Sequence, residues 1–572
     1  MRRLVPLLLG LGLAWAQYDL VVYGGTPQGV TAAVAAAEEG LKVLLLEPSD
    51  RLGGVLTRGW LATWDLARDK EGLLQGGLFR KLYQRLGGEA SFDVADAEGA
   101  LRAMAEGAGV EVRLQEPLLE AEVEEGRLLA LKTPSGRLEA PLFLDASDTA
   151  ELAYRAGAAF TLGREDTGLD RRQMAATLVF RLEGVPWGAV FLALNFEGQV
   201  RRTGAGAWGR SGWGFAELVR GYAPSDPARF HLRGLNLARQ EDGGLLVNAL
   251  LLFGVDGTDP LSVEEARARA AKEAERVVEY LKAKDPLIFG TARLSGTAFA
   301  LYLRETRHLQ ALYRLRAEEV LLGKTFPDAV ALGGYPLDGQ AYFPGETPYL
   351  LGTPAPYGVP FRSLVPKGLK NLLVVSQAAG FDSVAAFSAR VVPLGMALGE
   401  AAGVAAALLR RSPWTGLQPT PLPDFAAFAE SPGAIRKLQE RLLARGARLF
   451  PAEKPPASEE GKRGYKEAIA LLRRGLFAGP YHLEGRLGLG APILLGDFLA
   501  NLEHYYRARG LEDPLRVVLK ARELHAGAPL HQPLERALLN HLLRALGEPP
   551  LPGPEGPISR GEAAVLLFRL LP

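Results

Sequence analysis

The stretch from Tyr18 to Gly54 constrains what this chain can fold into more than any other part of it. Asp19–Tyr23 is a short apolar run, which is typical of a strand covered on both faces. The alanine-rich residues 32–37 predict a slim helix that ends near Gly40, and Lys42–Leu46 predict a second strand. This order of elements is typical of the unit that opens a doubly wound parallel sheet.

Glycines fill the predicted turn between the first strand and the helix, at Gly24, Gly25 and Gly29. Glycine permits a tight turn and lets a pyrophosphate approach the backbone, and a helix N-terminus favours negative charge. Glu47 ends the second strand 23 positions after Gly24. This is close to the spacing of about 20 expected of an acid that binds ribose hydroxyls. Thr26 stands where the usual G-x-G-x-x-G pattern has its second glycine. The unit therefore predicts a dinucleotide site, and the alternative is a β-α-β turn without a ligand.

Composition excludes several classes of function. The chain has 572 residues, which predict about two to four domains, and its net charge of +1 gives no indication of a nucleic-acid partner. Cysteine is absent, which excludes disulfides, thiol catalysis, a cysteine-linked cofactor and a cysteine-ligated iron–sulfur cluster. Motifs for metal-dependent hydrolysis, serine hydrolysis and a P-loop are absent as well, so the sequence predicts no metal site.

The first 16 residues have the pattern of a secretory signal peptide. Arg2 and Arg3 form a charged start, Leu4–Leu13 an apolar core and Ala14–Ala16 a small-x-small cleavage site. The apolar core is too short to span a bilayer. The pattern predicts export to the periplasm or cell envelope, and an uncleaved leader on a cytoplasmic protein is the alternative.

The predicted fold class is α/β, with a Rossmann-like cofactor domain, an inserted α+β substrate domain and an all-α C-terminal domain. Leu119–Val123, Leu128–Lys132 and Arg137–Ala140 predict a three-strand β-meander, and Val384–Leu409 predict one long helix rich in small residues. The predicted divisions are a signal peptide at 1–16, a cofactor domain at 17–165 and 300–410, a substrate domain at 166–299, a linker at 411–463 and a helical domain at 464–572.

Histidine catalysis has few candidates in this chain. Only His231 and His308 precede the C-terminal domain, and His231 is interpreted as a surface or packing residue. His308 stands beside Arg304 and Arg307, and this group predicts a cationic catalytic site that stabilises an anion. A run of solvated surface charges is the alternative.

Two aromatic segments also point toward a ligand. The segment Gly54–Asp65 is rich in glycine, threonine and tryptophan and directly follows the predicted nucleotide unit, so we expect it to lie near the cofactor. Trp208 and Trp213 lie among glycines and could stack on a sugar or another planar group. Plain aromatic loops are the alternative.

Several motifs occur together in a familiar order. They are GGTPQG (24–29), EPSDRLGG (47–54), FLDASD (143–148), RETR (304–307), VPFRSLVPKGLKNLLV (359–374) and SARVVPLGMALGEAAGVAAAL (388–408). With these motifs, residues 18–410 resemble the FAD-dependent oxidoreductases of the glutathione-reductase-like class, in the subgroup that opens with GGTPxG. Thr26 is usual in that subgroup.

The resemblance implies FAD as the cofactor and a small organic molecule as the substrate. The cofactor-binding residues that it implies are Gly24, Gly25, Thr26, Gly29, Glu47, Arg51, Gly54, Val112, Asp145, Asp382, Ser383 and Val384. Two positions depart from the family pattern, since relatives favour Ser-His-Val-Ala at residues 382–385 and Asp-His at 338–339. These departures put the relatives' substrate and mechanism in doubt for this chain.

The C-terminal domain resembles S-layer homology repeats. Residues 491–498 and 556–563 each carry Pro-Ile before a polar turn and an amphipathic helix, and two copies of the pattern are visible. The resemblance implies binding to a cell-wall polymer, and a plain helical bundle is the alternative.

Taken together, these features predict an exported enzyme that takes a hydride from an organic substrate onto flavin. With no cysteine and no second glycine fingerprint for NAD(P), we expect electrons to pass to an external acceptor, oxygen or a quinone. One alternative is an inactive envelope or binding protein that keeps the fold. Another is a cytoplasmic NAD(P)H-dependent flavin reductase or monooxygenase.

Overall fold

A computed structural model describes residues 17–201, 204–346, 349–410, 423–479 and 483–572. The predicted signal peptide and residues 411–422 of the predicted linker lie outside the described residues.

The strands follow one another in chain order as β1 (Leu20–Tyr23), β2 (Val43–Glu47), β3 (Arg68–Asp69), β4 (Gly72–Leu73), β5 (Glu111–Leu114), β6 (Glu120–Glu124), β7 (Arg127–Thr133), β8 (Gly136–Glu139), β9 (Leu142–Asp145), β10 (Phe160–Leu162), β11 (Ala176–Glu183), β12 (Gly206–Trp208), β13 (Ser211–Gly214), β14 (Phe230–Arg239), β15 (Leu245–Leu252), β16 (Arg293–Thr297), β17 (Arg307–Leu309), β18 (Ala329–Gly333), β19 (Asp338–Gly339), β20 (Tyr349–Leu350), β21 (Tyr357–Pro360) and β22 (Leu372–Val374).

The α-helices are, in the same order, α1 (Pro27–Glu38), α2 (Gly54–Thr57), α3 (Gly77–Arg85), α4 (Val94–Gly107), α5 (Glu151–Arg155), α6 (Trp187–Arg201), α7 (Ala216–Val219), α8 (Pro260–Lys284), α9 (Pro286–Phe289), α10 (Ala317–Leu321), α11 (Ser383–Ala389), α12 (Val392–Arg410), α13 (Phe425–Glu430), α14 (Pro432–Ala444), α15 (Tyr465–Arg473), α16 (Leu495–Arg509), α17 (Glu512–Leu524), α18 (Arg536–Ala545) and α19 (Arg560–Leu570).

A five-stranded parallel sheet with the order β22-β9-β1-β2-β5 organises the cofactor domain. Its central strands β1, β2 and β9 are apolar and buried along their whole length, as expected for a sheet covered on both faces. The chain runs from β1 outward to β2 on one side and returns to β9 on the other. The sheet therefore has a switch point between β1 and β9, and the predicted α/β, Rossmann-like class is confirmed.

A meander of three antiparallel strands, β6, β7 and β8, leads into β9. The predicted meander is therefore present, with strand bounds that differ by only a few residues from the prediction. It occupies the crossover between β5 and β9.

The single helix predicted at Val384–Leu409 is wrong, because the structure divides it into α11 and α12. Pro393 lies in the first turn of α12. Proline has no N–H and its ring clashes with the preceding helical turn, so a helix cannot run through this position unbroken. The break at Arg390 and Val391 brings the start of α12 to the carboxyl edge of the parallel sheet.

Small residues let α12 pack directly against α1. A Cβ atom on Gly399 would lie 2.1 Å from Gln28 O, and one on Gly403 would lie 2.2 Å from Ala32 O. Thr31 Oγ1 also donates a hydrogen bond to Met396 O at 2.8 Å across this contact. The two helices are thus in backbone contact, which only glycine at residues 399 and 403 permits.

Among the described residues, α12 is also long and apolar enough to cross a membrane by length and composition. However, 72% of its most apolar stretch is buried inside the protein. The composition is that of a core helix packed between α1 and other elements of the cofactor domain.

The chain between residues 176 and 297 builds a second sheet of six strands, with the order β12-β13-β14-β15-β11-β16. Every pairing in this sheet is antiparallel. Helix α8 packs against β11, β15 and β16. The opposite face of the sheet is turned toward the cofactor domain, where it forms one wall of a cavity described below.

The C-terminal helical unit has an approximate three-fold arrangement. Ile493 N–H donates to Ile558 O at 2.9 Å, Ile558 N–H to Leu534 O at 2.9 Å, and Leu534 N–H to Ile493 O at 2.8 Å. The three side chains are fully buried. The expectation of two copies of the motif is therefore wrong: Pro533-Leu534-Glu535 is a third, and its leucine in place of isoleucine concealed it. The likeness to S-layer homology repeats stays a prediction.

Candidate functional site

The turn between β1 and α1 is built around Thr26. Thr26 precedes the helix as its N-cap, and its Oγ1 accepts a hydrogen bond from Gly29 N–H at 3.2 Å. The same hydroxyl donates to Ala146 O at 2.8 Å, which ties the turn to the end of β9. Pro27 follows at the first helical position, where its missing N–H costs nothing. The Thr-Pro pair thus starts the helix, which explains threonine in place of the usual glycine.

Glycines keep this turn clear of side chains. Gly24 has φ +105°, and a Cβ there would lie 2.6 Å from Ser147 N. A Cβ on Gly25 would lie 2.5 Å from Leu52 Cδ2. Gly54 begins α2 with φ +46°, and its Cβ position is 3.2 Å from Thr26 Cγ2. Two short glycine turns therefore meet at the N-terminus of α1, the end of a helix that favours the negative charge of a pyrophosphate.

Glu47 lies at the carboxyl end of β2, beside this turn. Its Oε2 accepts a hydrogen bond from Gly25 N–H at 2.7 Å, and its Oε1 accepts one from Ser49 N–H at 2.8 Å. Burial raises the pKa of this carboxyl, while the hydrogen bonds from Ser49 and Gly25 act in the opposite direction. Carboxylate oxygens can accept more than one hydrogen bond each, so Glu47 can still accept hydrogen bonds from ribose hydroxyls. Val112 lies on β5 beside Leu45 of β2.

Arg51 and Asp145 have structural contacts of their own. Arg51 forms an ion pair with Asp50 at 2.8 Å, and its guanidinium lies 4.7 Å from the centre of the Phe299 ring. Asp145 is buried at the end of β9, where it accepts backbone hydrogen bonds from Ser147 at 3.0 Å and Ala153 at 2.7 Å. Burial raises the pKa of Asp145 to about 6. Asp145 therefore orders the loop after β9, and a direct cofactor contact for either residue stays a prediction.

A narrow cavity of about 50 Å³, here called the inner cavity, continues from the α1 turn along the carboxyl edge of the parallel sheet. It lies at the switch point between β1 and β9, where open α/β sheets bind their ligands. Burial and the neighbouring Glu47 raise the pKa of Asp148 in its wall to about 7. Its lining consists of Gln28, Val55, Asp65, Asp148, Leu301, Tyr302, Leu303, Ser376, Gln377, Ala389, Arg390, Val391, Val392, Gly395 and Leu398.

A second cavity of about 400 Å³, here called the outer cavity, separates the six-stranded sheet from the segment after α2. Asp65 belongs to the lining of both cavities, and so it marks the place where they meet. The outer cavity is lined by Trp60, Leu61, Ala62, Thr63, Asp65, Val179, Ser211, Gly212, Trp213, Asn236, Leu237, Ala238, Leu246, Asn248 and Tyr335.

A cluster of charged and phenolic side chains surrounds this junction. Arg390 Nη1 donates to the Tyr302 hydroxyl at 2.7 Å, and Arg390 Nη2 donates to Asp338 O at 3.1 Å. The Arg304 guanidinium lies 4.1 Å from the centre of the Tyr302 ring. Burial raises the pKa of Asp65, and the positive charge of Arg390 partly offsets this effect. A carboxylate with a raised pKa beside fixed cations is suited to accept a proton from a bound substrate.

Two donors of the cluster have no hydrogen-bond partner among the described residues. They are the Nε atoms of Arg233 and Arg390, and both are buried. A buried donor without a partner is costly, so these N–H groups are suited to a bound ligand. Arg390 lines the inner cavity, where the polar edge of a flavin ring could accept from it. The residues present therefore fit FAD, with its ADP half at Glu47 and the α1 turn.

The structure separates the predicted catalytic residues. Arg304 is buried in the cluster at the junction of the cavities, and burial lowers its pKa to about 10. Arg307 donates to Thr149 O at 2.9 Å and pairs with Glu151 at 3.3 Å. His308 Nε2 lies 3.1 Å from Glu305 Oε1. In the described part of the chain, the residues that line the two cavities include none of Arg304, Arg307 and His308, so a catalytic role for all three stays a prediction.

The segment at the start of α11 lies beside the same buried glutamate. Asp382 caps the helix by accepting from Ala385 N–H at 2.6 Å, and burial together with Asp166 raises its pKa to about 7. Ser383 Oγ donates to Glu305 Oε1 at 2.5 Å, and Val384 is buried next to it. Asp382, Ser383 and Val384 line neither cavity among the described residues, and a contact with the flavin stays a prediction.

The residues that the sequence analysis missed are Asp65, Tyr302, Tyr335 and Arg390. Asp65 ends the segment that was expected near the cofactor, and Arg390 belongs to the SARVVP motif. No local sequence pattern identifies either residue as part of a functional site. Their common signal is position at the carboxyl edge of the sheet, which only the topology reveals.

Comparison with known proteins identifies the family. The model of the family described as FAD dependent oxidoreductase matches residues 19–442, which is most of the chain. A search of curated proteins found no match.

Solved structures resemble the chain only distantly. A geranylgeranyl bacteriochlorophyll reductase-like protein from Thermoplasma acidophilum is 14% identical, with 75% of this chain and 84% of that chain covered and a TM-score of 0.36. A p-nitrophenol 4-monooxygenase from Pseudomonas putida is 12% identical, with 80% and 92% covered and a TM-score of 0.33. These likenesses are too distant to bear on substrate or reaction. On the family match, this protein belongs to the FAD-dependent oxidoreductases and is a flavoenzyme with FAD as its cofactor.

Proposed function

We propose that the enzyme oxidises a small organic substrate held in the outer cavity, by hydride transfer to FAD that extends along the inner cavity. The observation that carries this proposal is the position of Asp65 in the walls of both cavities. A substrate in the outer cavity and a flavin in the inner cavity would meet at this carboxylate.

Bound FAD would supply the two-electron oxidant. The chain's own part begins with Glu47 and the α1 turn, which would hold the ADP half. Asp65 would accept the proton that leaves a substrate O–H or N–H group as its carbon is oxidised. Arg390 is fixed by Tyr302 and by Asp338 O, so it would orient polar groups at the junction without moving. Arg304 adds positive charge that favours the developing anion.

The electrons must then leave the enzyme. The chain has no cysteine and so no dithiol relay, and it has no second glycine fingerprint for NAD(P). Oxygen or a quinone is therefore the acceptor that we propose.

We expect the purified protein to be yellow and to release FAD on denaturation. Under anaerobic conditions, one member of a panel of alcohols, sugars and amines should bleach the flavin, and oxygen or a quinone analogue should restore the colour. Absorbance spectra record both steps. Colourless protein that takes up no added FAD would favour an inactive envelope or binding protein.

We also propose that the enzyme works outside the cytoplasm. Support comes from Arg2, Arg3 and the apolar run Leu4–Leu13, followed by the cleavage pattern Ala14–Ala16. The mature protein should then begin at Gln17, which mass spectrometry of its N-terminal peptide will test. A protein that keeps Met1, with flavin that NAD(P)H bleaches rapidly, would instead be a cytoplasmic reductase or monooxygenase. Binding of a cell-wall polymer by the C-terminal unit stays a prediction.

A further inference from the structure

We infer that the outer cavity binds a neutral polyhydroxylated ring, a sugar or a cyclic polyol, and presents one of its C–OH groups to Asp65. This inference rests on the proposed function and adds the substrate class to it. Four features of the cavity wall carry it: a row of side chains across the sheet, a chain of hydroxyls, two tryptophans and the charge of the lining.

The row of side chains crosses three neighbouring strands. Trp213 on β13 is paired with Asn236 on β14, which is paired with Asn248 on β15. Residues paired in this way point to the same face of a sheet, and all three line the outer cavity. Asn248 Oδ1 is buried and has no hydrogen-bond donor among the described residues. An amide offers both donors and an acceptor, which is what a ring with several hydroxyls requires.

A chain of hydroxyls runs along the wall next to this row. Thr63 Oγ1 lies 2.9 Å from Ser91 Oγ, and Ser91 Oγ lies 2.6 Å from Ser211 Oγ. Thr63 and Ser211 line the cavity. A hydroxyl can donate or accept by rotating its hydrogen, so the chain can adapt to the arrangement of hydroxyls on a ligand.

Two tryptophans provide apolar surface for the C–H faces of a ring. Trp213 lines the cavity and is 43% exposed, and its Nε1 is fixed by a hydrogen bond to Gly204 O at 2.8 Å. Trp60 lies on the opposite wall, braced by Phe299 with ring centres 5.7 Å apart. Its φ of +55° lies in the left-handed region, which costs energy for a residue with a side chain and clusters at functional sites.

The charge of the lining argues for a neutral ligand. Among the described residues in the wall of the outer cavity there is no lysine, arginine or histidine, and Asp65 is the one carboxylate. A substrate anion would find no cation in this wall, because Arg390 and Arg304 are not among its lining residues. A neutral alcohol instead offers Asp65 a proton.

Oxidation of the bound alcohol conserves atoms and electrons. The substrate O–H bond breaks and its proton goes to Asp65, the C–H bond breaks and its hydrogen leaves with both electrons to the oxidant of the proposed function, and a C=O double bond forms. The substrate loses two electrons and two hydrogens, and the product is a ketone, aldehyde or lactone. No co-reactant beyond the proposed electron acceptor is needed.

Binding and oxidation are tested separately with the holoenzyme. Calorimetry measures the Kd for glucose, galactose, myo-inositol and a glucose oligosaccharide, with glucuronate, glucosamine and cyclohexanol as comparison ligands. We expect saturable binding of at least one neutral sugar or polyol, and bleaching of the flavin by the same compound under anaerobic conditions. Tighter binding of the oligosaccharide would identify the substrate as a glycan end rather than a free sugar.

Three single-residue variants test whether the ligand binds in the outer cavity. Trp213→Ala should raise the Kd by about tenfold or more, which corresponds to loss of one aromatic contact. Trp208→Ala is the matched control, because Trp208 is 78% exposed and lies outside the cavity lining. The Kd of the Trp208→Ala variant should stay unchanged. Asn248→Ala tests the row independently, and FAD content and melting temperature report whether each variant is folded.

The outcomes separate the two proposals. If an amine, acid or apolar alcohol bleaches the flavin while no neutral sugar or polyol binds, the substrate class is wrong and the proposed function stands. If a sugar binds with the expected effect of Trp213→Ala but no compound bleaches the flavin, the binding inference stands and the oxidation is wrong. An unchanged Kd in both Trp213→Ala and Asn248→Ala would overturn the placement of the ligand.

Discussion

Replacement of Asp65 by asparagine should slow substrate-dependent flavin reduction by about 10²–10⁴-fold, the range of a lost general base. Asparagine has nearly the same shape but cannot accept the proton. FAD should stay bound, because Glu47 and the α1 turn do not depend on residue 65. Stopped-flow absorbance measures the reduction rate, and the spectrum of the purified variant measures flavin content.

The pH dependence gives this prediction a second readout. Burial raises the pKa of Asp65, and only the ionised carboxylate can act as a base. The wild-type reduction rate should therefore rise with pH through that raised pKa and then level off. Asp65→Asn should remove this rise. Asp96→Asn, at an exposed carboxylate on α4, is the control and should keep the wild-type profile. A wild-type rate in Asp65→Asn would show that another group takes the proton.

The second large effect is expected at the contact between α1 and α12. Gly403→Ala would place a methyl group 2.2 Å from Ala32 O, and backbone cannot move aside as a flexible side chain can. Overpacking of this kind costs about 1–3 kcal/mol. Because α1 carries the cofactor turn, its displacement should also weaken FAD binding. We expect a lower melting temperature and a lower flavin content.

Gly99→Ala is the matched control, since Gly99 lies inside α4 and a Cβ there would have no neighbour within 4 Å. Alanine is favoured over glycine inside a helix by about 0.8–1 kcal/mol, so this variant should melt at the same or a higher temperature. The same chemical change should thus have opposite signs at the two positions. If both variants melt alike, α1 and α12 are not in the close contact described.

The cofactor half of the site could be predicted from local sequence. The signals from Gly24 to Glu47 lie within one β-α-β unit, and glycine turns, apolar runs and caps act over a few residues. Even the departure at Thr26 has a local cause, because Thr-Pro caps and starts a helix. The residues at the junction of the two cavities, where the substrate would be oxidised, could not be predicted this way. Asp65 and Arg390 acquire their environment from segments more than 300 residues apart in the chain.

The difference between local signals and long-range contacts also explains the expectations that the structure overturns. Composition predicted one long helix after residue 383, but a single proline outweighs many good helix formers. The third Pro-led segment of the C-terminal unit carries a leucine, and its equivalence to the other two appears only in the backbone hydrogen bonds among Ile493, Leu534 and Ile558.

The place of β22 beside β9 has a consequence for how the enzyme is made. Strand β9 ends at Asp145 and β22 begins at Leu372, so the ribosome must synthesise the whole second sheet before the edge of β9 is covered. Pairing of strands so distant in sequence is slow to form. The inner cavity also needs Gln377 and Arg390, which emerge later still. We therefore expect cofactor loading to follow synthesis of these late segments, and until β22 pairs with it β9 is an open strand edge of the kind that favours aggregation.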